Sequence, residues 1–149
     1  MVLKLFSNIY TASTFEINDS MLSEHMIQRI IQISDTEFDS GTSNPINTIN
    51  PINLSFGKTD PTFNEALNNC LSFIQRSISK NENILLCCDD SNDGNDLIVP
   101  VIVDYLIRSL NMNFDSAEKF TSNYLKCSKD NKYLNKLRCK FVKENLSNI

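Results

Sequence analysis

The spacing of hydrophobic positions changes several times along the chain, and each change marks an element. Leu3 to Phe6 and Ile9 to Ala12 are short apolar-rich runs joined by Ser7-Asn8, which predicts two strands with a turn between them. Asn18 or Asp19 can accept orphan backbone N–H groups and predicts the start of a short helix through about His25. Arg29 to Ile33 is a β-branched run fit for a buried strand. Ile49 to Leu54 is a further strand candidate, which Pro51 demotes to an edge because proline cannot donate to a ladder. Asp60-Pro61 opens the first long helix, with Asp60 as the expected cap and Pro61 where its missing N–H costs nothing. Phe63, Leu67, Leu71, Ile74 and Ile78 then recur at helical spacing. Ile84-Leu85-Leu86-Cys87-Cys88 is apolar without alternation, the pattern of a mid-sheet strand covered on both faces. Leu97 to Leu110 predicts an apolar helix capped by Asp96, with Pro100 in its first turn. Phe114 to Leu125, capped from Asn113 or Asp115, and Lys132 to Leu146, with Tyr133, Leu134, Leu137, Phe141 and Val142 inward, complete the helices. Asp35 to Pro51, rich in Ser, Thr, Asn, Asp and Pro, reads as a surface loop.

The order is β-β-α-β-β-α-β-α-α-α. It predicts one α/β domain over residues 1–149, a central mixed sheet of about five strands flanked by helices. In open α/β sheets ligands bind beyond the carboxyl ends of the strands, which points to residues 88–96. A chain of 149 residues with 41% hydrophobic side chains can bury one sizeable core and is not a disordered composition. A formal charge of −4 argues against a general nucleic-acid binder. No apolar run approaches the length of a membrane helix, and the first residues lack the pattern of a signal peptide. Cys70, Cys87, Cys88, Cys127 and Cys139 are odd in number and show no Cys-x2-Cys spacing. They argue against a disulfide framework or a structural zinc site, and for reduced thiols in the cytoplasm or nucleus.

Several phrases share an order with a known family. Leu5-Phe6-Ser7-Asn8-Ile9-Tyr10-Thr11-Ala12, Ile27 to Ser34, Asn83 to Cys88, Val101 to Leu106, Leu110 to Ala117 and Asn131 to Val142 together resemble the dual-specificity phosphatases over nearly the whole chain. The resemblance implies that family's fold and puts Cys88 at the place of the catalytic cysteine. An active member needs a Cys-x5-Arg loop, in which a thiolate nucleophile is held ionised and an arginine grips the phosphoryl oxygens as a fork. Here the sixth residue after Cys88 is Gly94, the sixth after Cys87 is Asp93, and no basic residue occurs between Cys88 and Arg108. The loop reads Asp89-Asp90-Ser91-Asn92-Asp93-Gly94-Asn95-Asp96 instead. Four carboxylates repel a phosphate dianion and disfavour a thiolate. Asp60 lies near the expected general acid, a few residues out of register, and a helix cap accounts for it as well.

These departures resemble the catalytically dead members of the family. The expected function is a non-catalytic, pseudophosphatase-like protein-interaction module that uses no cofactor. The alternative comes from Gly94-Asn95-Asp96-Leu97-Ile98-Val99-Pro100-Val101, which is similar to a run in the phosphatase-like domain of fungal initiator-tRNA ribosylphosphate transferases and implies a role in tRNA handling. Asp89-x-Ser91-x-Asp93-Gly94 matches half a calcium loop, but the twelfth position is Pro100 rather than a bidentate Glu, so no metal is expected. His25 is the only histidine and forms no metal pair. The one basic region is C-terminal. Lys132, Lys136, Arg138 and Lys140 there form either a solvated helix face or a docking face, for an acidic protein first and for RNA second.

Overall fold

A computed structural model describes residues 2–13, 16–34, 49, 52–56, 59–88, 95–126 and 131–147, with the side chains of 60, 95 and 142–147 outside that description. The chain clusters into two compact units, Met1–Gly94 and Asn95–Ile149.

The first unit is a five-stranded sheet with two helices. Its elements are β1 (Leu3–Phe6), β2 (Ile9–Ser13), α1 (Asp19–Glu24), β3 (Ile27–Ser34), β4 (Ile52–Ser55), α2 (Asp60–Ser79) and β5 (Asn83–Cys88). The strand order is β1-β2-β5-β3-β4. β1 is antiparallel to β2, and the remaining pairings are parallel, so the sheet is mixed as expected. The uninterrupted apolar run lies in the centre. Ile84 to Cys88 are all buried, and β5 hydrogen-bonds to β2 on one edge and β3 on the other. Its side chains alternate between the two faces. Leu85 and Cys87 pack with Ala12, Met21, Leu22, Ile27 and Ile30 in one cluster. β4 is the sheet edge, and Pro51 itself lies outside the described residues, as does the expected loop 35–51 apart from Ile49.

Both helices of this unit start at side-chain caps. Asn18 Oδ1 accepts from the Met21 N–H at 2.8 Å and begins α1. α2 starts one residue earlier than Asp60 was expected to place it. Thr59 is the cap, its hydroxyl accepting from the Thr62 N–H while the Thr62 hydroxyl accepts from the Thr59 N–H. Asp60 is therefore the first helical residue, not the cap, because a reciprocal box satisfies two orphan donors at once. Phe56, just beyond β4, meets Phe63 of α2 edge-on at 5.0 Å, and both rings are fully buried. The inward face of α2 is Phe63, Ala66, Leu67, Cys70, Ile74 and Ser77, while Leu71 and Ile78 fall at its half-buried rim.

The second unit is three helices: α3 (Asn95–Leu110), α4 (Phe114–Ser122) and α5 (Lys132–Ser147), with α3 packing on both others. α3 begins at Asn95, so Asp96 lies within the first turn rather than at the cap, and Pro100 lies inside the helix. Proline removes the N–H that would bond the carbonyl four residues back. That carbonyl belongs to Asp96, and it accepts instead from Asn131 Nδ2 at 2.9 Å. Asn131 is itself buried, and its Oδ1 accepts from the N–H groups of Tyr133 and Leu134 at the start of α5. One carboxamide thus caps α5 and repairs α3.

α3 also carries an ion pair between a buried carboxylate and a part-buried arginine. Asp104 is 1% exposed and accepts from Arg108 Nη2 at 2.6 Å, one helical turn on. Removing one partner of such a pair strands a buried charge, whereas replacing both with apolar groups is close to neutral. Arg108→Met is expected to destabilise the protein by about 3 kcal/mol, and Asp104→Leu with Arg108→Met to recover most of that loss, in a double-mutant cycle of urea unfolding.

Burial also raises the Tyr105 phenol above its ordinary value of 10.0. The folded state then holds this proton more tightly than the unfolded chain, so the associated stability is whole below pH about 10 and is lost as pH rises toward the folded value. The fall in melting temperature above pH about 10 is expected to be shallower in Tyr105→Phe than in the parent.

Candidate functional site

The expected site begins at the carboxyl end of β5. In register, Cys88 lies opposite Ser13 of β2 and Ile33 of β3. Cys88 is 2% exposed and Cys87 is fully buried, with the Cys87 thiol donating to the Ile31 carbonyl at 3.7 Å. Strand alternation sends the two thiols to opposite faces, and Cys87 joins the cluster beneath α1. Cys87 is thus a core thiol on its packing alone.

A carboxylate stands beside this strand end. Glu16 Oε1 accepts from the Ser13 hydroxyl at 2.6 Å and from the Ser13 N–H at 3.3 Å. Ser13 is the register partner of Cys88, so Glu16 is tied to the strand next to the cysteine. The signal for this residue was local, a Ser-x-x-Glu spacing at a strand end, and the sequence reading passed over it. Asp89, Asp90, Ser91, Asn92, Asp93 and Gly94 lie outside the described residues, as does the half calcium loop they form. Among the described residues no group of three His, Cys, Asp or Glu side chains is arranged to hold a metal ion.

A cleft of about 1050 Å³ opens at the other end of the strand. Asn8, Asp19, Met26, Gln28, Asn81 and Asn83 line it, together with Ser20, Leu22, Ser23, Ile27 and Ile49. Asn83 begins β5 and Cys88 ends it, so the cleft lies roughly 16 Å from the cysteine along the strand. Among the described residues its lining contains no lysine or arginine.

No protein-family model matches the chain, and no curated protein matches it by sequence. Solved structures match it in shape. A leucine-rich-repeat and phosphatase-domain-containing protein from Entamoeba histolytica is 14% identical, with a TM-score of 0.72 over 99% of this chain and 95% of that one. Human DUSP28 is 8% identical, with a TM-score of 0.73 over 97% and 95%. The human tyrosine phosphatase-like serine/threonine/tyrosine-interacting protein is 12% identical, with a TM-score of 0.69 over 97% of each chain. The chain has the dual-specificity phosphatase fold. Identities this low establish shared shape, and the chemistry has to be read from the residues themselves.

On the phosphatase fold, the first basic residue after Cys88 is Arg108. It lies near the end of α3, about 20 Å along the helix from Asn95, where the loop enters. Its guanidinium is engaged with Asp104 in the same helix. Asp60 opens α2, and its carboxylate lies outside the described side chains. The four basic residues singled out on α5 separate. Lys132, Lys136 and Lys140 follow one another at single-turn spacing. Arg138 points elsewhere, to Glu118 of α4 at 2.9 Å, to Asn135 at 2.8 Å and over the Phe114 ring at 5.1 Å.

Asn131 is a further residue that sequence reasoning missed, and it holds the first turn of α3. Its two functions can be separated. Asn131→Asp keeps the acceptor for α5 and loses the donor to Asp96, while Asn131→Ala loses both. Asn131→Ala is expected to cost about 2 kcal/mol and Asn131→Asp clearly less, measured by chemical unfolding.

Proposed function

We propose that this chain is a non-catalytic, pseudophosphatase-like module that binds other proteins, acting in the cytoplasm or nucleus. One observation carries the reading: on a phosphatase fold, the nineteen residues between Cys88 and Arg108 hold no basic side chain, and the first eight of them include four aspartates. Phosphoryl transfer needs positive charge aimed at the oxygens of the transferred group. Removing a single such donor typically slows an enzyme by about 100- to 1000-fold. In this loop the arginine is absent and the sign of the charge is reversed. Glu16, bound to Ser13 at the end of the neighbouring strand, is a further carboxylate in this part of the first unit. A thiolate, the form a nucleophilic cysteine must take, is disfavoured in such surroundings. The human neighbour described as phosphatase-like and serine/threonine/tyrosine-interacting has the same fold and is named for interaction. Cysteines without disulfide or zinc spacing fit a reducing compartment. Among the described residues no helix is long and apolar enough to cross a membrane.

The purified chain is expected to hydrolyse p-nitrophenyl phosphate no faster than buffer, and Cys88→Ser to leave that trace unchanged. Turnover above background that disappears in Cys88→Ser would overturn the reading.

A further inference from the structure

Carboxamides fasten distant segments together around the cleft at the amino end of β5. Asn8, in the turn between β1 and β2, donates from Nδ2 to Asn81 Oδ1, just before β5, at 3.1 Å. Gln28 Oε1 of β3 accepts from the Asn83 N–H at 3.2 Å, and Asn83 Nδ2 donates to the His25 carbonyl at 3.2 Å. A carboxamide carries both a donor group and an acceptor. Among the described residues these bonds use one group of each side chain and leave Asn8 Oδ1, Asn83 Oδ1, Asn81 Nδ2 and Gln28 Nε2 to water or a ligand. Asp19, the charged member of the lining, already has a partner within the protein. Leu22 and Ile27, both buried, give the cleft an apolar floor. Its rim carries a side chain that neither exposure nor backbone explains. Met26, between α1 and β3, is 70% exposed at a φ of 53°. A left-handed backbone favours glycine or asparagine, and an exposed turn favours a polar residue. Asn81, at a φ of 57°, meets both preferences, and Met26 meets neither. Strain of this kind gathers where a side chain serves a ligand.

We infer that this cleft binds an uncharged, extended peptide segment of another protein, its backbone amides paired with the four carboxamides and an apolar side chain set against Leu22, Ile27 and Met26. The inference rests on the reading of the chain as a protein-binding module, and gives that module a surface at the opposite end of β5 from Cys88. Each remaining carboxamide group has its complement in a peptide group, which also offers one donor and one acceptor. In an extended segment alternate side chains face one way, so an apolar residue can meet the floor while its neighbours stay in water. Methionine adapts to apolar side chains of varied shape. Other ligand classes fit less well. Among the described residues the lining holds no aromatic ring on which a nucleobase could stack, and no lysine or arginine for a phosphate or carboxylate. The bonds that fasten the carboxamides also hold them in place before a ligand arrives, which lowers the ordering cost of binding.

The test is an NMR titration of the isotope-labelled full chain with the peptide acetyl-Ser-Leu-Ser-Leu-Ser-amide. Backbone resonances of Asn8, Met26, Gln28 and Asn83 are expected to shift and saturate with a Kd below about 1 mM. The same peptide with its backbone nitrogens methylated has lost its donors and should bind about tenfold more weakly. Met26→Gly and Asn81→Gly each remove a lining side chain and suit the left-handed backbone. Each should weaken binding about fivefold, with a urea midpoint no lower than the parent's. Asn111→Gly makes the same kind of change at an exposed left-handed position of the second unit, at a φ of 58°, and should leave binding unchanged. Equal loss in Asn111→Gly, undiminished binding of the methylated peptide, or loss in both cleft variants only with a lowered urea midpoint would each overturn the inference. So would saturable shifts at the cleft with uridine or methyl glucoside in place of the peptide, or no saturation by the peptide below about 1 mM. Turnover of p-nitrophenyl phosphate is measured separately and tested through Cys88, so the two proposals can fail independently.

Discussion

Because β5 is buried along five of its six residues and hydrogen-bonded on both edges, every side chain it carries must be tolerable in an apolar interior. Ile84, Leu85 and Leu86 meet that demand as hydrocarbons, and Cys87 and Cys88 meet it as small, polarisable thiols. The same constraint fixes the register of β2 and β3, since a one-residue slip would exchange the faces of Ile9, Ile31 and Ile33, all fully buried. It also fixes where the strand lets go. The first polar residue after Ile84 is Asp89, so the chain leaves the sheet where the family whose fold this is begins its phosphate loop.

The position of that exit and the chemistry found there are separate matters. A cysteine at the end of a buried strand is explained by packing before any reaction is invoked. What would make it a nucleophile is surrounding positive charge, and the residues that follow it in sequence are acidic. The basic side chains are concentrated beyond residue 94, where the two arginines are spent on internal carboxylates. Shape alone is the weaker guide to activity.

Most of the architecture was legible because its signals are local or periodic. The unbroken apolar run marked the central strand, Asn18 and Asn113 marked helix starts, and Pro51 marked an edge. The features that escaped depend on partners far away in sequence or on pairs that mimic a better-known pattern. Thr59 and Thr62 form a reciprocal cap without the glutamate that usually signals one, so Asp60 drew attention instead. Pro100 sits deeper in α3 than expected, and its cost is offset by Asn131, thirty-five residues after the carbonyl it repairs. The lysine period of α5 is visible in the sequence, but the removal of Arg138 from that set is not, because Glu118 and Phe114 reach it only when α4 and α5 are folded together.

These misses share a cause that bears on function. The secondary structure of this chain is set by side chains that act on their neighbours, whereas its chemistry is set by which charges are consumed in tertiary pairing and which remain. Arg108 and Arg138 would count as anion-binding candidates in any sequence survey, and both are taken up by carboxylates of their own unit. Lysines, with flexible stems and strongly hydrated heads, are poor partners for such internal pairing and good ones for a solvated surface. Both arginine pairs serve the packing of the second unit, Arg108 tied one turn back along its own helix and Arg138 tied across to α4.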